Sequence, residues 1–401
     1  MATEGATTVR TYPFNVADRL TVDPMYAYVR EHEPLCRVRL KYGEDAWLVT
    51  RHQDVRTVYA DPRFSRAAGI GRDEPRLSEY IAPRGMMDMD PPHLTRLRKL
   101  VTGAFTPRRI ERLRTRTLTV ASELVDKIVE KGPAADLVAD FGEQLPMIMI
   151  CEMLGVPVAD RGEFQVLSAA LVSGTWMDGD QRAASIAKLM EYFAGLVHQR
   201  RREPTDDLLG ALVAARDEEG RLTEEELLFL AAGLHGAGFE TTTTQIPNFV
   251  YTLLTHPDQL SLLLSRRELM SSAVEEMMRF VSLFAGAAIP RWALEDIELS
   301  GGTVPAGSAV FASVAAANND PRVFQDPERL DITRQPNPHM GFGYGIHHCL
   351  GAQLARLELA VALSVLLDRL PGLEFAIPEE DLSWRTDSAL RGLVSLPVNF
   401  T

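Results

Sequence analysis

Cysteine is scarce: Cys36, Cys151 and Cys349 are the three in 401 residues, an odd number set far apart. That excludes a disulfide-stapled scaffold and fits a reducing compartment, so a cytoplasmic location is expected. No Cys-x-x-Cys pair exists to build a four-ligand structural zinc site. Nowhere do eighteen apolar residues follow one another, so no membrane-spanning helix is expected. Residues 1–15 are polar and lack the apolar core of a secretory signal. Basic residues are outnumbered, 42 Lys and Arg against 55 Asp and Glu, which argues against a nucleic-acid binder. Repeats, low-complexity tracts and linker-like stretches are missing too, which points to one domain over 1–401.

Apolar residues make up 46% of the chain, ample for a large core. Residues 24–33 and 51–60 read as helices, the first with Pro24 in its opening turn. Between them, 36–40 and 46–50 are β-rich runs around a Gly-containing spacer, a hairpin. Residues 61–92 show no period, and so long a loop is functional or disordered. A helix starts at Asp90-Pro91-Pro92. Residues 116–131, 138–154 and 160–202 are helical in pattern, the second stopping at Gly155 and the last broken at 178–180. Short strands are expected at 284–289, 295–299, 308–315, 375–377 and 392–400.

The densest chemical signal is Gly341-Phe342-Gly343-Tyr344-Gly345-Ile346-His347-His348-Cys349-Leu350-Gly351. Its glycines allow positive φ or close backbone approach. After Cys349, leucines at 350, 354, 357, 363 and 366 predict a helix to about 369. A thiol at a helix N-terminus meets the positive end of the macrodipole and unpaired N–H groups, which favour the thiolate. A thiolate held so is a metal ligand or a nucleophile. A lone cysteine is more often an inert core residue, so the thiol by itself decides nothing.

The whole run does. Phe-Gly-x-Gly-x-His-x-Cys-x-Gly over 342–351 resembles the haem-binding loop of the cytochrome P-450 superfamily. The resemblance implies that Cys349 is the axial thiolate of haem b, cradled by Phe342 and Gly351. It covers essentially the whole chain and implies the family's fold: mainly α with small β-sheets (α+β), with a long central helix over the haem.

That helix is expected over 223–254, opened by a Thr223–Glu226 capping box. Its centre is poor helix material: Gly233, Gly236, Gly238, threonines 241–244 and Pro247. Such breaches tend to mark functional sites, although threonines bonding back to carbonyls would also kink a helix. Ala237-Gly238-Phe239-Glu240-Thr241-Thr242 resembles the family's Ala-Gly-x-acid-Thr signature. It implies that Ala237 and Gly238 lie against the haem, that the Thr241 hydroxyl hydrogen-bonds bound dioxygen, and that Glu240 relays protons from solvent.

Further positions follow from the same resemblance. Arg98 matches a haem-propionate arginine. The histidine four residues before it in the family is Leu94 here, and His93 stands one residue early, about 100° away around a helix. Arg291, His339 and His347 match the remaining propionate positions. Glu276 and Arg279 share a helix face at i and i+3, and Arg334 completes the family's buried triad that locks the cysteine loop. Met86, Met87, Trp176, Met177, Gly233, Phe284, Ala287, Ile289 and Leu390 are substrate-pocket candidates, each equally open to ordinary packing.

The implied activity is a monooxygenase that inserts one atom of O2 into an organic substrate by hydroxylation or epoxidation. Electrons would come from NAD(P)H through a separate ferredoxin and ferredoxin reductase. Basic residues between Arg96 and Arg114 offer a docking face for such an acidic partner. Residues 42–50 and 95–101 resemble actinobacterial members that tailor secondary metabolites such as macrolides or other polyketides. A soluble monomer is expected. The alternatives are a peroxide-driven peroxygenase, against which Glu240-Thr241 argues, and a non-catalytic haem-thiolate sensor, which needs neither a proton relay nor a docking face.

Overall fold

The computed structural model describes residues 8–14, 19–77, 79, 85–162, 164, 167, 179–217, 221–284, 286, 289–386, 388 and 390–401. Trp176, Met177 and Ala287 fall outside them. The chain forms two compact units: 1–83, 87–90 and 275–349 in the first, and 84–86, 91–274 and 350–401 in the second.

The first unit is built on six strands: β1 (Val9–Thr11), β2 (Leu35–Arg39), β3 (Ala46–Val49), β4 (Phe64–Ser65), β5 (Arg291–Ala293) and β6 (Ala309–Ala312), in the order β1-β2-β3-β6-β5-β4. β2 and β3 are the expected hairpin, with Leu35 opposite Val49 and Val38 opposite Ala46. The apolar run Ala309–Ala312 is buried at all four positions. Alternate residues point to opposite faces, so Ala309 and Phe311 join a core with Val29, Leu48 and Trp292. Val310 and Ala312 join another with Val55, Val58 and Met340. Covering both faces is what lets the strand be apolar throughout.

Helix Pro24–His32 starts where Asp23 accepts the Met25 N–H at 2.7 Å. The aperiodic stretch after residue 61 is pinned by Asp90, which accepts the N–H groups of Arg66 at 3.1 Å and Ala67 at 3.3 Å, and the Ser65 hydroxyl. Residues 285, 287 and 288 of the strand expected over 284–289 lie outside the described residues, and a strand opens at Arg291. The one expected over 308–315 ends at Ala312, because Ser313 turns the chain by capping the short helix Val314–Asn318.

The second unit is mostly helical, with one small sheet of Glu374–Phe375, Pro397–Asn399 and Ala135–Asp136. Its axis is the long helix Glu224–Leu254, packed by helices Gln144–Leu154, Gly179–Arg202 and Ala352–Arg369. Burial on most faces explains its apolar, weakly patterned sequence. The capping box forms: Thr223 accepts the Glu226 N–H at 3.1 Å, and Glu226 accepts the Thr223 N–H at 2.9 Å.

The helix runs on through Pro247, which packs on Gly142, where a Cβ would stand 2.8 Å from Pro247 Cγ. Gly142 belongs to a wide turn, Val138–Gly142, with five-residue hydrogen bonds from Gly142 to Leu137 (2.8 Å) and from Glu143 to Val138 (2.9 Å). The single helix expected over 138–154 is therefore this π-turn followed by Gln144–Leu154. Helix Pro107–Lys131 starts well before the expected residue 116, because its charged first turns show little apolar period.

Candidate active site

Of the three thiols, Cys36 and Cys151 are buried, and burial pushes each up to about 12. Neither supplies a thiolate near neutral pH. Cys349 is exposed, and the backbone of its own loop holds it. Its N–H donates to Phe342 O at 2.9 Å, while Gly343 N–H donates to Met340 O at 2.8 Å. Glycine is required at three places here, at Gly343 because its φ is +71°. A Cβ on Gly341 would lie 2.5 Å from Met278 O, and Gly345 combines φ +69° with close contact to Tyr59 O. Gly351 then caps the helix Ala352–Arg369.

A buried carboxylate anchors this loop. Glu276 accepts from Arg279 Nε and Nη2 at 2.8 Å each, from Arg334 Nε at 3.1 Å, from Asp331 N–H at 3.0 Å and from Asn337 Nδ2 at 3.2 Å. Arg279 Nη1 goes on to Asn318 O at 2.9 Å and Pro327 O at 2.8 Å. Asn318 Oδ1 in turn accepts the Met340 N–H at 2.8 Å, at the foot of the cysteine loop. A buried pair holds only when its remaining hydrogen-bonding capacity is met, and here it is. Asn318 and Asn337 were not legible in the sequence.

Arg291 opens β5 at 3% exposure, its guanidinium 4.4 Å above the Tyr59 ring, and its Nη2 is buried without a hydrogen-bond partner. Burial lowers its pKa, but a guanidinium does not deprotonate. A buried cation with an unmet N–H calls for an anion, and a haem propionate is one. Beside the cysteine loop, this is a second feature of the first unit that fits haem. His347 lies half-buried in the turn Gly345–His347. In His339, Nε2 lies 2.9 Å from Glu275 Oε2, and Nδ1 accepts the Gly341 N–H at 3.1 Å. Both ring nitrogens thus meet groups that support the loop. In the second unit, Leu94 is buried and Arg98 half-buried on one side of helix His93–Thr102, whereas His93 is exposed.

The long helix carries the other set. Gly233 and Ala237 are exposed and Thr241 is half-buried, at i, i+4 and i+8, although residues 234–236 and 242–253 are buried. A Cβ on Gly233 would meet nothing within 4 Å. This open strip of small side chains suits a flat ligand. Thr241 Oγ1 donates back to Ala237 O at 3.0 Å, and Thr244 Oγ1 to Glu240 O at 2.9 Å. The back-bonding thus exists, and Thr241 keeps its acceptor lone pairs on the open side.

Glu240 is 8% exposed, and burial lifts its carboxyl from 4.5 to about 7, against the pull of Arg385 and with a smaller push from Glu143. It therefore gives and takes a proton near neutral pH. A stability consequence follows. The folded carboxyl keeps its proton to about pH 7 and the unfolded one only to about 4.5, so stability falls between those values and the deficit persists above them. Glu240→Gln is expected to be more stable than the parent by about 3 kcal/mol at pH 8 and equal to it near pH 4, measured by denaturant unfolding.

The substrate-pocket candidates are spread over both units. Met86 and Ile289 are half-buried, Met87 and Phe284 are exposed, and Leu390 is buried. A cavity of about 700 Å³ lined by Pro91, Pro92, Thr95, Arg96, Lys99, Leu100 and Arg221 includes none of them. Glu143 and Arg385 had no signal in the sequence. They lie far from Glu240 along the chain, and the second unit's packing brings them to it.

The Cytochrome P450 family model matches residues 18–399. Mycinamicin IV hydroxylase/epoxidase of Micromonospora griseorubida is 51% identical over 389 residues, covering 97% of this chain and 98% of that protein. Nocardicin C N-oxygenase of Nocardia uniformis subsp. tsuyamanensis is 48% identical over 396 residues, covering 98% and 99%. Among solved structures, the crystal structure of HinD with NMFT and NO matches with a TM-score of 0.94 at 47% identity, covering 98% of this chain and 100% of that one. Among the described residues, no helix is long and apolar enough to cross a membrane. With its cysteine loop, its acid–threonine helix and a family match over residues 18–399, the chain belongs to the cytochrome P450 family of haem-thiolate monooxygenases.

Proposed function

We propose that the 401 residues act as one haem-thiolate monooxygenase domain that hydroxylates or epoxidises a secondary metabolite, a macrolide or another polyketide. The observation that carries the thiolate assignment is the contrast between Cys349, exposed on a glycine-built loop, and two thiols that burial makes inert. Bound haem would supply the activation of O2 and the oxidation. Cys349 would hold the iron, and Arg98, Arg291, His339 and His347 would hold the propionates. Phe342, Gly351, Ala237 and Gly238 would line the ring. Glu240 would bring in protons and Thr241 would place them. The name of the mycinamicin relative supports hydroxylation or epoxidation.

Electrons would come from NAD(P)H through a ferredoxin and its reductase. Arg108, Arg109 and Arg112 are exposed and suit an acidic partner, whereas Arg96 and Arg114 are tied to Glu226 and Glu111. The substrate class is tested by screening macrolides and other polyketides for a shift in the haem spectrum, then supplying ferredoxin, reductase, NADPH and ¹⁸O2. A product heavier by one oxygen drawn from O2 supports the proposal; oxygen drawn from water contradicts it. Thr241→Ala is expected to cut product per NADPH about tenfold or more while NADPH consumption continues. Full coupling in that variant would remove Thr241 from the proton path.

A further inference from the structure

Proton supply to Glu240 has a structural basis that no family motif marks. One guanidinium, Arg385, faces two carboxylates: its Nη1 lies 4.0 Å from Glu240 Oε2, and its Nη2 lies 3.8 Å from Glu143 Oε1. Both distances exceed a direct hydrogen bond but leave room for a small swing or one water. Side-chain exposure falls from 33% at Glu143 through 25% at Arg385 to 10% at Glu240, so the three form a graded line from solvent to the buried acid. Glu143 follows the π-turn whose Gly142 packs on Pro247 of the long helix. Wide turns of this kind occur often at functional sites.

We propose that Arg385 is a positioning residue shared between Glu143 and Glu240, and that Glu143 is the solvent-side acid from which Glu240 is reprotonated. This rests on Glu240 serving as the proton relay of the monooxygenase proposed above. The balance is simple. Each proton Glu240 passes inward is replaced by one that Glu143 takes from solvent, no electrons move among the three, and Arg385 keeps its own protons because a guanidinium does not ionise. Arg385 acts by trading partners. Beside Glu240 it favours the carboxylate that has just released its proton, and beside Glu143 it leaves Glu240 to take one up.

Among the described residues, Arg385 and Glu143 are the charged groups that act on Glu240, and Asp136 acts on Glu143 in turn. Burial raises the carboxyl of Glu358, on the packed helix Ala352–Arg369, well above its ordinary range, and Glu358 is not among the groups that shift Glu240 or Glu143.

The two flanking groups have opposite signs, so their removal has opposite effects. In haem-loaded protein carrying δ-¹³C-glutamate, the carboxyl signal lost in Glu240→Gln reports the Glu240 titration. Arg385→Gln is expected to raise that titration by about one pH unit, and Glu143→Gln to lower it. Arg385→Lys is expected to hold it near the parent. In turnover, Glu143→Gln is expected to enlarge the solvent isotope effect on product formation, with substrate KM unchanged. Titrations that stay put, or that move the same way in Arg385→Gln and Glu143→Gln, would overturn the proposal, since mere loosening moves both alike. Should Arg385→Gln not fold, Glu143→Gln against Arg385→Lys still decides the sign. The thiolate haem spectrum is recorded on the same samples. Its absence would overturn the monooxygenase reading, whereas its presence with unresponsive titrations would overturn this inference alone.

Discussion

Cys349→Ser is expected to abolish turnover and the thiolate haem spectrum while leaving the fold intact. The turns of the loop are closed by backbone bonds from residue 349 to Phe342 and from Gly343 to Met340, which a serine keeps. Circular dichroism should therefore match the parent. What is lost is the soft, ionisable ligand, since a serine hydroxyl does not ionise near neutral pH and cannot push electron density onto iron as a thiolate does. Cys36→Ser and Cys151→Ser are the controls. Burial keeps both thiols protonated, so neither change should alter the spectrum. A thiolate spectrum that survives in Cys349→Ser, or disappears in Cys151→Ser, would contradict the assignment.

The second large effect lies in the support of that loop. Glu276 and Arg279 are fully buried, and Arg334 is nearly so. Glu276→Ala would strand two guanidinium groups beside each other with no carboxylate between them. Removing one partner of a buried ion pair costs about 3–5 kcal/mol, a large part of the total stability of an ordinary domain. Denaturant unfolding should show a loss of that size, and haem retention should fall with it, because Asn318 links this network to Met340. Arg279→Lys should also be costly. An ammonium cannot reproduce the fork that reaches both Glu276 oxygens and three carbonyls. A change below about 1 kcal/mol in Glu276→Ala would place the network at the level of surface ion pairs.

What could be read from the sequence is what is local. The β2–β3 hairpin, the Thr223 capping box, the stop at Gly155 and the glycines of the cysteine loop each come from a few neighbouring residues with a fixed backbone preference. The unreadable parts depend on distant partners. Pro247 reads as a helix breaker, yet the helix continues because Gly142 makes room for its ring. The π-turn at 138–142 belongs to the same contact, so no local pattern announces it. His339 stands at a motif position, and that Glu275 and the Gly341 amide meet its ring shows only in the packing. The acid of the Glu240-Thr241 pair was visible, whereas its environment was not: Glu143 and Arg385 are ordinary charged residues until packing sets them beside it.

A haem held by the Cys349 thiolate and open to ligands on its other side is the arrangement on which the proposed chemistry depends. It is tested most directly by reducing the purified, haem-loaded protein, adding carbon monoxide and recording the Soret band. A band shifted strongly to the red is expected, as a thiolate-ligated ferrous carbonyl gives. A band at the position seen with histidine ligation would contradict it, as would folded protein that takes up no haem when haem is supplied.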